Sequence, residues 1–226
     1  MTGIIIALLI SWILLWFWDK KKLSVLGLRP SKSSVIAFVA GFLLAGVACS
    51  IYHIMTAVSA GNQWTLRPGF TLPAALAGSW WTLKSVLYEE FIFRGALLYI
   101  AIEKLGVKIA CLLSAACFGI YHWFSYNAFG SPVQMIIVFL FTGFFGYSLA
   151  VAFARTKSLY LPVGVHFGWN LLNIVVFSNG PLGPQLFAKM NTNKPEGILS
   201  LFLFLFQAFT IPLLTLWYAN RRTISR

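Results

Sequence analysis

The chain has 226 residues, of which 59% are hydrophobic and only 10% charged. A soluble domain of this length needs a charged surface to stay in solution, and these residues cannot make one. The formal net charge of +12 would suit a nucleic-acid groove, but the basic residues sit in short runs between long apolar stretches, which is the pattern of cytoplasmic loops and points to a lipid bilayer and no nucleic acid as the partner.

Apolar segments occupy residues 3–18, 34–58, 74–101, 109–126, 133–154, 158–178 and 197–219. Most approach the roughly 20 residues of helix that cross a bilayer core. The connectors carry breakers: Arg29-Pro30, Arg67-Pro68-Gly69, Gly130-Ser131-Pro132 and the run from Asn179 to Pro184. The expected fold is all-α, a polytopic membrane bundle of about seven transmembrane helices forming a single transmembrane domain over residues 1–226. No internal repeat is apparent, which disfavours an inverted-repeat transporter.

The first segment lacks a preceding basic stretch and a small-residue cleavage site, and Asp19-Lys20-Lys21-Lys22 follows it. It reads as a retained span rather than a secretion signal. With the amino terminus outside, the inner loops and the cytoplasmic carboxy terminus hold 12 of the 17 basic residues, Arg226 included. The outer loops hold three, Arg67, Lys189 and Lys194. This is a strong positive-inside bias.

The second segment carries His53 beside Tyr52 near its outer end, read as an interfacial residue, and Cys49. The other cysteines, Cys111 and Cys117, also lie in an apolar run, and none forms a CxxC pair. All three are expected to be small packing residues.

The third segment holds the anomaly. Of the five acidic residues, Asp19, Glu103 and Glu196 fall in loops or at their edges, but Glu89 and Glu90 sit side by side within a span. Each charge near a span's centre costs about 2.5–3.5 kcal/mol on insertion scales. Adjacent residues diverge by about 100° around a helix, so the two carboxylates cannot face one point. Glu90 and Arg94 are four apart and can pair. That leaves Glu89 as the working carboxylate and Glu90–Arg94 as a structural brace, with Lys84 free to snorkel toward the outer headgroups. A charge network that only holds helices together is the competing account.

Two further polar positions bear on this. His122 lies toward the outer end of the fourth segment, and His166 lies within the sixth, four residues before Asn170 and so on its face. Two histidines and a lone glutamate on three spans fit an assembled site better than three separate packing residues. Gly95, Gly119, Gly164 and Gly168 flank these positions, and small residues let helices approach closely.

At these positions the sequence resembles a family. Glu89-Glu90-Phe91-Ile92-Phe93-Arg94-Gly95 resembles its EExxxR motif, Phe118-Gly119-Ile120-Tyr121-His122 its FxxxH, and His166-Phe167-Gly168-Trp169-Asn170 its HxxxN. In this order, on separate spans, they are similar to the CPBP (CAAX protease and bacteriocin-processing, or ABI) family, over a core of about residues 80–180. The resemblance implies a membrane-embedded helical bundle that hydrolyses peptide bonds; eukaryotic relatives remove the last three residues of prenylated CAAX proteins. It implies Glu89 and His122 as the pair activating water, with His166 and Asn170 stabilising the oxyanion. It favours a metal-free glutamate mechanism with no cofactor. The rival is a zinc site with Glu89, His122 and His166 as ligands and water in the fourth place.

The expected activity is thus intramembrane hydrolysis of a membrane-associated protein or peptide. The compact chain suits a multi-pass protein of a prokaryotic cytoplasmic membrane. Two other classes compete: a non-catalytic membrane immunity or binding protein, and a proton-coupled transporter using Glu89 and the histidines as a relay.

Overall fold

The computed structural model describes residues 2–222; Arg226, counted above among the inner charges, lies outside them. Seven α-helices follow in order: α1 (Thr2–Asp19), α2 (Lys32–Ala60), α3 (Leu72–Arg94), α4 (Ala96–Ser125), α5 (Pro132–Thr156), α6 (Tyr160–Leu171) and α7 (Gly197–Arg221). A 3₁₀ turn (Leu23–Leu26) follows α1, and a π turn (Leu172–Val176) extends α6. Two short strands, β1 (Trp64–Leu66) and β2 (Phe187–Lys189), pair antiparallel in the connectors. Local chemistry sets the boundaries. Ser31 caps α2 by accepting the Ser34 amide at 3.1 Å, and Thr71 caps α3 in the same way. Gly61 closes α2 in the left-handed conformation.

One expected boundary is wrong. Residues 74–101 read as a continuous apolar span, yet α3 ends at Arg94 and α4 begins at Ala96. The cause is Gly95, where the chain turns so tightly that a Cβ would lie 2.1 Å from the Phe91 carbonyl oxygen. Apolar residues lie on both sides of this break, Phe91 to Phe93 before it and Ala96 to Leu98 after it, so a hydropathy reading runs across it. The helix α4 is itself interrupted at Gly106 (φ 78°), between Glu103 and Lys108.

Three helices, α2, α5 and α7, are long and apolar enough to cross a membrane, and α1 and α6 with its π turn are shorter apolar helices. The charged side chains of α3 and of the first part of α4 interrupt their apolar windows. Large apolar side chains such as Phe17, Val47, Leu140 and Leu213 face outward, as bilayer contact demands.

The helix α2 packs on α6, α4 on α5, and α5 on α7. The first of these contacts is backbone on backbone. A Cβ at Gly164 would lie 2.3 Å from the Phe38 carbonyl oxygen, and one at Gly168 2.3 Å from that of Phe42. Without a hydrophobic drive between helices in lipid, such close approach is what packing can offer.

The connectors gather at two ends. At one, Ser158 Oγ donates to the Gly27 carbonyl at 3.2 Å and the Leu159 amide to that of Leu26 at 3.3 Å. At the other, β1 pairs with β2, Asn191 donates to the Gly61 carbonyl at 3.0 Å, and Arg67 donates to the carbonyl of Pro184. Cys49 and Cys111 are buried as expected, but Cys117 is exposed. It shares an outward face of α4 with Leu113 and Ile120, so it contacts the surroundings rather than the core.

Candidate active site

The four residues singled out as catalytic, Glu89, His122, His166 and Asn170, all line one cavity of about 710 Å³. They come from three helices, α3, α4 and α6. Neighbouring carboxylates go separate ways, as helix geometry requires. Glu89 reaches the cavity, while Glu90 is fully buried behind it.

The buried side is a bonded network. Arg94 Nη1 donates to Glu90 Oε1 at 3.2 Å, and its Nη2 donates to the Gly146 carbonyl of α5 at 3.1 Å. The same Glu90 oxygen lies 2.7 Å from His166 Nδ1. A carboxylate oxygen accepts, so Nδ1 carries the proton in this bond and Nε2 points the other way. His166 Nε2 lies 3.8 Å from Glu89 Oε2. The Glu90–Arg94 brace expected from spacing is thus present, and it also orients the sixth segment's histidine.

His122 is oriented by the backbone. Its Nδ1 lies 2.8 Å from the Phe118 carbonyl oxygen, which can only accept, so Nε2 keeps its lone pair. The Phe118 ring packs on His122 at 4.3 Å between centroids, and the Arg94 guanidinium sits 4.2 Å above the same ring. Phe118 therefore serves twice, by its carbonyl and by its face.

The Oε2 of Glu89 is buried and has no hydrogen-bond partner among the described residues. A carboxylate oxygen left unpaired in low dielectric costs stability unless solvent or substrate completes it. Lys84 does not complete it; its Nζ lies over the Trp80 ring at 6.0 Å. Among the described residues no three His, Cys, Asp or Glu side chains are grouped so as to hold a metal ion.

Other residues at the site carried no recognisable signal. His53, expected at the membrane interface, is buried, with Nε2 2.9 Å from Asn173 Oδ1 and its ring stacked on Phe177 at 4.4 Å. The reason is the close approach of α2 to α6, which encloses the outer turns of α2. Asn173 lies in the π turn, its amide donates to the Asn179 carbonyl at 2.7 Å, and both asparagines line the cavity. Such π insertions are frequent at functional sites. Gln207 of α7 also lines the cavity.

Residues 72–172 match the family described as Rce1-like, type II CAAX prenyl endopeptidase Rce1-like. No curated protein and no solved structure matches the chain. The matched stretch runs from the first residue of α3 to the start of the π turn and contains all four cavity residues together with Glu90 and Arg94. The chain, an integral membrane protein, therefore carries an Rce1-like domain of the CPBP family over its helices α3 to α6.

Proposed function

We propose that this protein is an intramembrane endopeptidase that cleaves a membrane-associated protein or peptide with water activated by Glu89 and His122. The observation that carries the reading is the meeting of Glu89, His122, His166 and Asn170 on one cavity among apolar helices. The whole chain forms one seven-span transmembrane domain, amino terminus outside, in a prokaryotic cytoplasmic membrane. The docking of connectors at two opposite ends supports that alternation, as does the charge bias of the loops.

In the proposed reaction Glu89 takes a proton from water as the water oxygen attacks the scissile carbonyl carbon. His122 Nε2, its lone pair held toward the cavity, orients the same water. His166, carrying a proton on Nε2 as well as on the Nδ1 held by Glu90, and the Asn170 amide donate to the developing oxyanion. The proton on Glu89 then passes to the leaving amine as the C–N bond breaks, giving a carboxylic acid and an amine. No metal takes part.

The test is Glu89→Gln in purified protein, assayed on quenched peptides with and without a farnesylated CAAX end. Hydrolysis should fall by at least about 10³-fold, while the melting temperature stays level or rises, because a buried unpaired oxygen has been neutralised. A variant that cleaves at the wild-type rate would refute the reading. Proton flux into liposomes that depends on Glu89 would favour the transporter instead.

A further inference from the structure

We infer that Gln207 of α7 binds a peptide unit of the substrate's backbone in the cavity that holds Glu89 and His122. The inference rests on the peptidase reading and goes beyond it, because α7 lies outside the stretch matched to the family.

The helix α7 has two faces. Leu201, Phe202, Leu205, Phe209 and Leu213 point outward and are exposed, as lipid contact requires. Leu203 and Ile211, four residues to either side of Gln207, are 4% and 3% exposed and face the bundle. Gln207 therefore turns inward, about 15 Å along the helix from Gly197 at the usual rise per residue. A primary amide at that depth is costly unless something pairs with it. Gln207 forms no hydrogen bond with any described residue. A leucine of similar size would enter the bilayer more cheaply, so the amide has a use inside the cavity.

A second observation lies one turn further on. Pro212, inside α7, has no N–H, so the Ala208 carbonyl loses its helical donor. Gln207, Ala208, Ile211 and Pro212 all line the cavity. Helix α7 thus offers the cavity, on one wall, a side-chain amide and a backbone carbonyl without its usual helical donor. Unsatisfied groups of this kind persist at membrane depth where they line a wet cavity or meet a ligand.

The chemistry selects the ligand. A segment drawn out of its own helix or strand for hydrolysis brings unpaired N–H and C=O groups into low dielectric. The glutamine amide has an acceptor oxygen and a donor nitrogen side by side, which matches one peptide unit. Recognition of this sort ignores side chains, so it would act on every substrate and fix the extended backbone beside Glu89 and His122.

The experiment compares wild type, Gln207→Leu and Leu205→Ala on quenched peptides ending in CAAX sequences, farnesylated and unmodified. Gln207→Leu keeps the volume and favours insertion, so the fold is not at risk. KM should rise about tenfold with kcat within roughly twofold, the signature of a lost binding interaction. Leu205→Ala, on the lipid face of the same turn, should leave KM unchanged. N-methylation along the peptide should find one position that costs wild type about tenfold and the Gln207→Leu enzyme nothing more, a coupling that only a direct pair produces. An unchanged KM in Gln207→Leu, an equal rise in Leu205→Ala, or N-methyl costs identical in both enzymes would overturn the inference while leaving the peptidase standing. A wild type that cleaves none of the peptides would instead bring down the peptidase reading, and this inference with it.

Discussion

The carboxylate of Glu90 and the imidazole of His166 are joined by a 2.7 Å contact between Oε1 and Nδ1, wholly out of solvent. The same oxygen takes the Arg94 guanidinium at 3.2 Å. What spacing on one helix presents as a brace within α3 is thus a link from α3 to α6, with Arg94 extending it to the Gly146 carbonyl on α5. One buried carboxylate sets the direction in which His166 presents Nε2 to the cavity.

Glu90→Gln follows from this link. The amide keeps an acceptor oxygen but no charge, leaving the fully buried Arg94 uncompensated. Breaking a buried pair by removing one partner costs about 3–5 kcal/mol. The variant should melt well below wild type in detergent, and its surviving folded fraction should hydrolyse peptide at least about tenfold more slowly, because His166 is no longer held. Glu89→Gln should keep or raise the melting temperature while losing at least about 10³-fold in hydrolysis. Melting curves and single-turnover rates on the two variants check this contrast; equal melting temperatures would refute the assigned division between the carboxylates.

Asn170→Ala tests the oxyanion role on its own. Asn170 is one turn from His166 on the cavity wall and has no hydrogen-bond partner among the described residues. Its removal should therefore leave folding within about 0.5 kcal/mol of wild type. Loss of one oxyanion donor costs about 10²–10³ in kcat with little change in KM. A fall in KM-related binding with kcat intact would instead make Asn170 a substrate-binding residue.

How far the sequence discloses this site depends on which physical cue each residue leaves. Glu89, Glu90 and Arg94 were legible because charge inside an apolar run is anomalous, and a four-residue spacing assigns the pair. The spacing of His166 and Asn170 placed them on one face. Gly95 left no cue, since apolar sequence resumes at Ala96 directly after it and a single glycine does not alter hydropathy. His53 misled because an aromatic neighbour near a span end is the mark of an interface, whereas its burial comes from α6 approaching α2. The double duty of Phe118 and the inward turn of Gln207 depend on which helices become neighbours, and that information lies in tertiary packing rather than local pattern.

Gly164→Ala probes the contact that holds α6, and so His166, in place. Its new methyl would meet the Phe38 backbone at 2.3–3.0 Å, and backbone cannot step aside as a side-chain tip can. Overpacking of this kind costs about 1–3 kcal/mol or more, so the melting temperature should fall clearly. Gly143→Ala is the control, because its methyl would find only the Ala115 carbonyl oxygen at 3.5 Å, an ordinary contact. That variant should stay within about 0.5 kcal/mol of wild type. Similar losses in both would mean that α2 and α6 are not packed backbone to backbone.

Metal independence is the remaining consequence of the proposed chemistry. A zinc site needs ligand atoms at about 2.0–2.2 Å from one ion, and hence close to each other. Glu89 and His166 approach to 3.8 Å, but no third His, Cys, Asp or Glu among the described residues joins them in a metal-holding group. With Glu89 as general base instead, EDTA and 1,10-phenanthroline should leave the hydrolysis rate unchanged. The purified active protein should carry far less than one zinc per chain by elemental analysis. Inhibition by both chelators, reversed by added zinc, would show that Glu89 and the histidines gather around an ion during turnover, and the glutamate-based route would have to be abandoned.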